Sequence, residues 1–353
     1  IRDRDSYTIF EILNARGLDL EDHELLKNYI MRYLQPKERR DDAKRIWEEI
    51  ENNLGSSIDD FLRHYALHKY NYNNDKKQSI SVYKSLQNAT RGRNVDKLLD
   101  DIKLKSDYYT AFINQTNCLP KEKEVFMFFK TKRVVVFRPL LLSLRHLLSL
   151  EIISENRYLE ILNFIYNFYI CYKIIGQENS NMLSDTVYKY AYVLETNFSD
   201  DNLEEFLKNM RSKLPTLEAF TNSFKNIGYS HCWPIYSDSK CKDRCQLVLN
   251  LIEKYISNRD VNLEVTIEHI LPDSNGIENA QIGNLFLLEE NLNRRCKNKS
   301  LEDKYNIYNE SALMCPKGFV QRYKGKTFNP VSRTEFLSKL IYNNILGIPD
   351  EQN

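Results

Sequence analysis

The sequence predicts a mainly α protein: a helical bundle with a small strand-strand-helix module near the C-terminus. Three observations carry that reading. Glycine (10) and proline (9) are scarce in a chain of 353 residues. Apolar residues recur at spacings of three and four over long stretches, and that rhythm breaks only across 261–300. Few strands are therefore expected.

SYTIFEILNARGLDLEDHELLKNYIMRYL reads as helix, stop, helix, with Gly17 at the C′ position, Asp19 as N-cap, and Leu25, Leu26, Tyr29, Ile30 and Tyr33 forming one stripe. SIDDFLRHYALHKY is a further helix whose His64 and His68 lie one turn apart, a spacing able to hold a metal. No H-E-x-x-H pattern accompanies them, and Asp59 and Asp60 suit the positive end of a helix dipole, so a structural role is preferred. NYNNDKKQS (71–79) reads as a surface loop, while ATRGRNVDK (89–97) places Arg91, Arg93 and Lys97 in a basic stretch that either meets phosphates or is simply solvated. The run VVVFRPLLLSLRHLLSL (134–150) is too short and too interrupted by charge for a bilayer, and reads as a buried helix. From about 106 to 226 a bundle is expected, with ENRYLEILNFIYNFYICYKI in its core, followed by the connection FKNIGYSHCWPIYSDSK. Three domains result, at 1–105, 106–230 and 231–353, the last with its strand-strand-helix core at 261–305.

Composition bounds the function. Lys plus Arg (50) balances Asp plus Glu (49), which excludes a polycation that coats nucleic acid along its whole surface and leaves local basic patches. Seven scattered cysteines without C-x-x-C spacing point to reduced thiols and a cytoplasmic protein. Cys241 and Cys245, with His231 and Cys232 upstream, can be drawn as a zinc site, but CKDRCQLVLNLIEKY reads better as an amphipathic helix with two packed small residues.

The chemistry concentrates in 261–300. VNLEVTIEHI alternates as a strand does, LPDSNGIENAQIG is a loop, NLFLL is a second strand, and EENLNRRCKNKSLEDKY opens a helix. Glu268 and His269 end the first strand, Asn284 opens the second and Asn293 lies in the helix. Phosphodiester hydrolysis needs a deprotonated water, a clamp on the phosphate and stabilisation of the departing oxygen. A neutral imidazole is a base near physiological pH, which makes His269 the candidate proton acceptor. Mg²⁺, or Mn²⁺ in its place, prefers hard oxygens, which a carboxylate (Glu268) and an amide (Asn293) supply, with Asn298 as a reserve ligand. Adjacent strand residues point to opposite faces, so Glu268 and His269 converge only if the strand ends there, as Pro272 favours.

IEHILP followed by IGNLFLLEENLNRRCKNKS resembles the HNH nuclease module, a ββα-metal core, and the nine-residue step from Asn284 to Asn293 resembles the interval in CRISPR effector HNH domains. TIEHILP, IGNL, Ser300 and Lys304 resemble more specifically the C-terminal nuclease domain of GmrSD-type modification-dependent restriction enzymes and the related SspE phage-defence proteins. IFEILNARGLDLEDHELLKNYI is similar to the end of the NTPase and sensor domain of those proteins, whose D-G-Q-Q-R motif does not occur in this sequence. The resemblance implies a metal-dependent endonuclease acting on double-stranded phage or modified DNA. It assigns His269 as base, Glu268 and Asn293 to the metal, and Asn284 to support around the base. It also implies an N-terminal NTPase and sensor region beyond this chain.

Arg294, Arg295, Lys297, Lys299 and Lys304 then fall where a DNA backbone would lie. One ββα site cuts one strand at a time, so nicking is expected of a single chain and double-strand cleavage needs a homo-oligomer or repeated events. The alternative is a non-catalytic DNA-binding or interaction module of the same system. Nucleotide hydrolysis is disfavoured, since neither RGRN nor NARG has Walker spacing.

Overall fold

Helices form where the apolar stripes run, and the computed structural model describes residues 21–70, 81–297 and 299–348. The first predicted helix with Gly17 and Asp19, the loop at 71–79 and Asn298 lie outside the described residues. Among the described residues the structure is mainly α, with 73% helix and one two-stranded sheet. Among the described residues no helix is long and apolar enough to cross a membrane.

Two compact units result. The first comprises residues 1–166 and 179–212. Its helices are α1 (Asp22–Tyr33), α2 (Arg40–Leu54), α3 (Ile58–Tyr70), α4 (Val82–Thr90), α5 (Val95–Asn114), α6 (Pro120–Thr131), α7 (Arg138–Ser149), most of α8 (Glu155–Tyr169), α9 (Ser184–Thr196) and α10 (Asp200–Arg211). The stripe on α1 buries Leu25, Leu26, Tyr29 and Ile30, while Tyr33 at its end stays exposed. α5 runs unbroken across position 105, and α3, α7 and α9 pack on one another, so helices before and after that position share one core. His64 and His68 lie inside it. The Nδ1 of His64 meets the Tyr109 hydroxyl at 2.9 Å and that of His68 meets the Ser143 hydroxyl at 3.3 Å. Burial pushes both imidazoles down to about 3, so they are neutral.

Beside His68, buried Glu195 receives Lys69 and Lys105 at 3.1 Å and the Nδ1 of His146 at 2.9 Å. Burial pushes its carboxyl up, but the His146 hydrogen bond and the electrostatic pull of the adjacent Lys105 and Lys69 outweigh burial and hold it down at about 2. A carboxyl depressed in the folded state stabilises above its unfolded pKa and loses that contribution as pH falls through the folded value. Glu195→Gln is therefore expected to lower the melting temperature at pH 6. The gap from wild type should close as pH falls from about 4.5 toward 2, as read by thermal denaturation.

The second unit comprises residues 167–178 and 213–353. It contains α11 (Leu217–Phe224), α12 (Ser239–Ser257), β1 (Val265–His269), β2 (Leu285–Glu289), α13 (Glu290–Cys296), α14 (Leu301–Glu310), α15 (Met314–Tyr323) and α16 (Pro330–Lys339). β1 and β2 pair antiparallel, with Glu268 opposite Phe286 and His269 opposite Leu285. β2 buries Leu285, Phe286, Leu287 and Leu288, because α12 and α15 pack against it. Phe286 meets the Tyr308 ring edge-on at 4.8 Å and Phe319 at 5.8 Å. Cys245 lies buried along α12, whereas the Cys241 thiol is directed to the Ile235 carbonyl at 3.5 Å.

The single helix expected after β2 is two. α13 stops at Cys296, Lys297 turns the chain with φ 22°, and α14 restarts behind Ser300, whose hydroxyl accepts the Asp303 N–H at 3.3 Å. A charged run alone does not show such a break; a left-handed turn followed by a serine cap produces it.

The turn before β2 is clamped from α16. Buried Arg333 donates to the carbonyls of Gly283 and Leu285 at 2.8 and 2.9 Å, and Thr334 accepts the Gly283 N–H at 3.0 Å. A Cβ on Gly283 would stand 2.0 Å from the Pro330 carbonyl oxygen and 2.2 Å from the Thr334 hydroxyl. Gly283→Ala is expected to lower stability by about 1–3 kcal/mol, read by urea denaturation, because backbone has to move to admit the methyl.

Candidate active site

β1 ends at His269, and the ladder continues one step as the Ile270 N–H donates to the Asn284 carbonyl at 2.9 Å. The imidazole is partly exposed, at 19%. Its Nε2 lies 2.8 Å from the backbone carbonyl of Tyr229 and 3.9 Å from the Asp273 carboxylate. A carbonyl only accepts, so Nε2 carries the proton and Nδ1 of the neutral ring keeps its lone pair.

Tyr229 is itself fixed. Its N–H donates to the Ala280 carbonyl at 2.9 Å, the Ile282 N–H donates to Ile227 at 2.9 Å, and Gly228 bridges Gln281. Gly228 permits this approach, since a Cβ there would lie 2.2 Å from the Ala280 oxygen. The Tyr229 hydroxyl pairs with His231 Nε2 at 2.9 Å. Asp273 accepts the Ser230 hydroxyl at 2.6 Å. Burial pushes the Asp273 carboxyl up, but the Ser230 hydrogen bond and the nearby His269 imidazole pull it below its ordinary range. The stretch 224–240, expected only as a connection, thus supplies the group that sets the histidine's tautomer.

Asn284, expected beside the base, is fully buried and makes no hydrogen bond to the His269 ring. Its amide oxygen accepts the Leu271 N–H at 2.9 Å, and its amide nitrogen donates to the carbonyls of Leu271 and Asn279 at 2.8 Å each. It holds the loop that follows His269.

Glu268 departs furthest from expectation. Its carboxylate is buried, and Oε1 accepts Lys304 Nζ at 2.8 Å and the Tyr308 hydroxyl at 2.8 Å. Strand alternation sends it to the face opposite His269, against α14. Lys304 is buried too, and also donates to the carbonyls of His269 (2.7 Å) and Ile270 (3.3 Å). The phosphate-contact role expected of Lys304 is therefore corrected: its ammonium is spent inside. Burial and the Glu268 charge push both the Tyr308 phenol and the Cys296 thiol up, the latter to about 12, so both stay protonated beside the carboxylate.

Asn293 ties its amide nitrogen to Thr266 Oγ1 at 2.8 Å and to the Ile267 carbonyl at 3.1 Å, and its amide oxygen has no partner among the described residues. That oxygen fits a hard cation. Glu268, the other expected Mg²⁺ ligand, does not, because its charge is already matched by Lys304. No group of three His, Cys, Asp or Glu able to hold a metal ion occurs among the described residues. Of the two ligands assigned from the sequence, Asn293 keeps an open amide oxygen and Glu268 is paired with Lys304 and Tyr308.

Of the remaining basic residues, Arg294 pairs with Glu290, and Arg295 forks onto Glu310 at 2.6 and 2.7 Å. These are exposed pairs that a phosphate can exchange into. Lys297 and Lys299 are exposed, with no side-chain partner among the described residues.

A comparison with curated proteins gave no match. Residues 215–330, which hold both strands, His269, Asn284, Asn293 and Lys304, match the family described as GmrSD restriction endonucleases, C-terminal domain. Residues 215–330 are therefore similar to the C-terminal domain of GmrSD restriction endonucleases.

Proposed function

We propose that this domain is an HNH-type DNA endonuclease in which Nδ1 of His269 takes the proton from the attacking water. One observation carries the reading: the Nε2–H of His269 is held by the Tyr229 carbonyl at 2.8 Å, which leaves the opposite ring nitrogen basic on a partly exposed edge. Asp273 lies 3.9 Å from the same Nε2. The match to restriction endonucleases makes DNA the expected substrate. Lys297 and Lys299, with the exchangeable Arg294 and Arg295, form the surface for its backbone.

The test is a supercoiled plasmid incubated with the full chain in Mg²⁺ or Mn²⁺, with a chelator control. Nicking is expected before linear product appears, since one such site cuts one strand at a time. Binding with no cleavage under either cation would instead support a non-catalytic DNA-binding module. Lys297→Ala with Lys299→Ala is expected to weaken plasmid binding and reduce its salt slope by about 1–2, checked by filter binding across salt concentrations.

A further inference from the structure

We propose that the DNA track of this domain runs on past Lys297 and Lys299 onto a second basic face, formed by α15 and its turn into α16, which holds duplex backbone away from the scissile phosphate. Residues 311–334 contain no Asp or Glu but five Lys or Arg: Lys317, Arg322, Lys324, Lys326 and Arg333. Arg333 is spent inside, on the carbonyls of Gly283 and Leu285. The other four reach solvent, and none makes an ion pair or side-chain hydrogen bond with a described residue. The one acid on α16, Glu335, is matched by Lys225 at 3.1 Å. Asp350 and Glu351, the acids of this unit outside the described residues, follow the far end of α16, roughly 20 Å from the turn at about 1.5 Å of helix rise per residue.

Local structure fixes the face. α15 ends in a turn that Gly325 makes with φ 75°, tied by the Lys324 N–H to the Val320 carbonyl at 3.0 Å and by the Lys326 N–H to the Tyr323 carbonyl at 2.9 Å. The Arg322 guanidinium lies 4.2 Å from the Phe336 ring centroid, which pre-sets it over an aromatic face with its donors uncommitted. Gly318, one turn before Arg322, is exposed inside the helix, and a Cβ there would meet nothing within 4 Å. No described neighbour requires this glycine and it costs helix stability, so its use is the bare face it leaves for a partner's backbone to approach. The Tyr305 hydroxyl, near the start of α14, donates to the Tyr323 carbonyl at 3.3 Å. That contact sets the end of α15 beside the start of α14, which Lys297 and Lys299 immediately precede in the chain. Interfaces with DNA are strongly cationic, whereas protein–protein interfaces are depleted in lysine, which favours duplex backbone as the occupant. The proposal rests on the reading of this domain as one that acts on DNA, and not on cleavage.

Filter binding of a duplex of about 30 base pairs to the full chain, in chelator and across salt concentrations, tests it. Lys317→Gln, Arg322→Gln, Lys324→Gln and Lys326→Gln together should weaken binding at least about tenfold at roughly 0.1 M salt and lower the log–log salt slope by about 2–4, since each phosphate contact contributes about 0.9. Gly318→Leu should leave the melting temperature unchanged or higher while weakening binding at least about threefold. Lys130→Gln, Lys132→Gln and Arg133→Gln, which remove charge from the first unit, should together stay within about twofold of wild type. Matched thermal melts confirm that the variants fold. The proposal is overturned if the quadruple variant keeps wild-type affinity and slope, if the first-unit variant loses as much, or if double-stranded RNA or poly-glutamate displaces the duplex at a lower charge concentration than unlabelled duplex does. Duplex binding through this face with plasmid left uncut keeps the proposal and fails the nuclease reading; binding that depends on Lys297 and Lys299 alone overturns the proposal and leaves that reading intact.

Discussion

His269→Ala is expected to abolish plasmid nicking, with a rate loss of at least about 10²–10⁴-fold, the usual contribution of a positioned general base. The loss should fall on the rate and leave DNA affinity within about twofold, because the phosphate contacts lie on other residues. Stability should change little: the ring is partly exposed and gives up one hydrogen bond, worth about 1 kcal/mol. His269→Asn is the sharper variant, since its amide nitrogen can still reach for the Tyr229 carbonyl yet offers no basic nitrogen. Equal inactivity of both variants with unchanged melts assigns the loss to the missing base. Cleavage that survives in either removes His269 from the chemistry.

The fold class and the strand-loop-strand-helix order were legible because periodicity is a local property: alternation at VTIEH and 3.6-residue stripes elsewhere reflect which faces are buried. His269 was legible for the same reason, as a polar residue closing a strand ahead of Pro272. Its partner was not. The Tyr229 carbonyl is backbone, forty residues away, and no side-chain pattern announces it; the one trace was Gly228, where a close backbone approach forbids a side chain. Lys304 misled for a related reason. In sequence it continues a basic run, and only the helix restart at Ser300 turns it inward while Lys297 and Lys299 stay in solvent. Asn284 and Asn293 were placed correctly as polar corners, but which one serves the loop and which keeps a free oxygen depended on partners that only the folded chain supplies.

Lys304→Met is expected to cost about 3–5 kcal/mol, the largest stability effect in the domain, because it leaves the Glu268 carboxylate buried without its counter-charge. It also frees the carbonyls of His269 and Ile270, so activity should fall together with stability. The decisive comparison is the double variant Glu268→Met with Lys304→Met. Removing both charges from a buried pair is often neutral in stability, so the double variant should melt well above Lys304→Met, measured by chemical denaturation. Its activity then separates two roles for Glu268. If the carboxylate serves only as the partner of Lys304 and Tyr308, the restored fold should nick plasmid with the same divalent-cation requirement as wild type. If Glu268 leaves Lys304 to reach a cation during turnover, the double variant will be folded, bind DNA and stay inactive at every Mg²⁺ concentration. The buried geometry favours the first outcome: swinging the carboxylate out would strand an ammonium that only main-chain carbonyls then satisfy, at a cost of several kcal/mol per turnover.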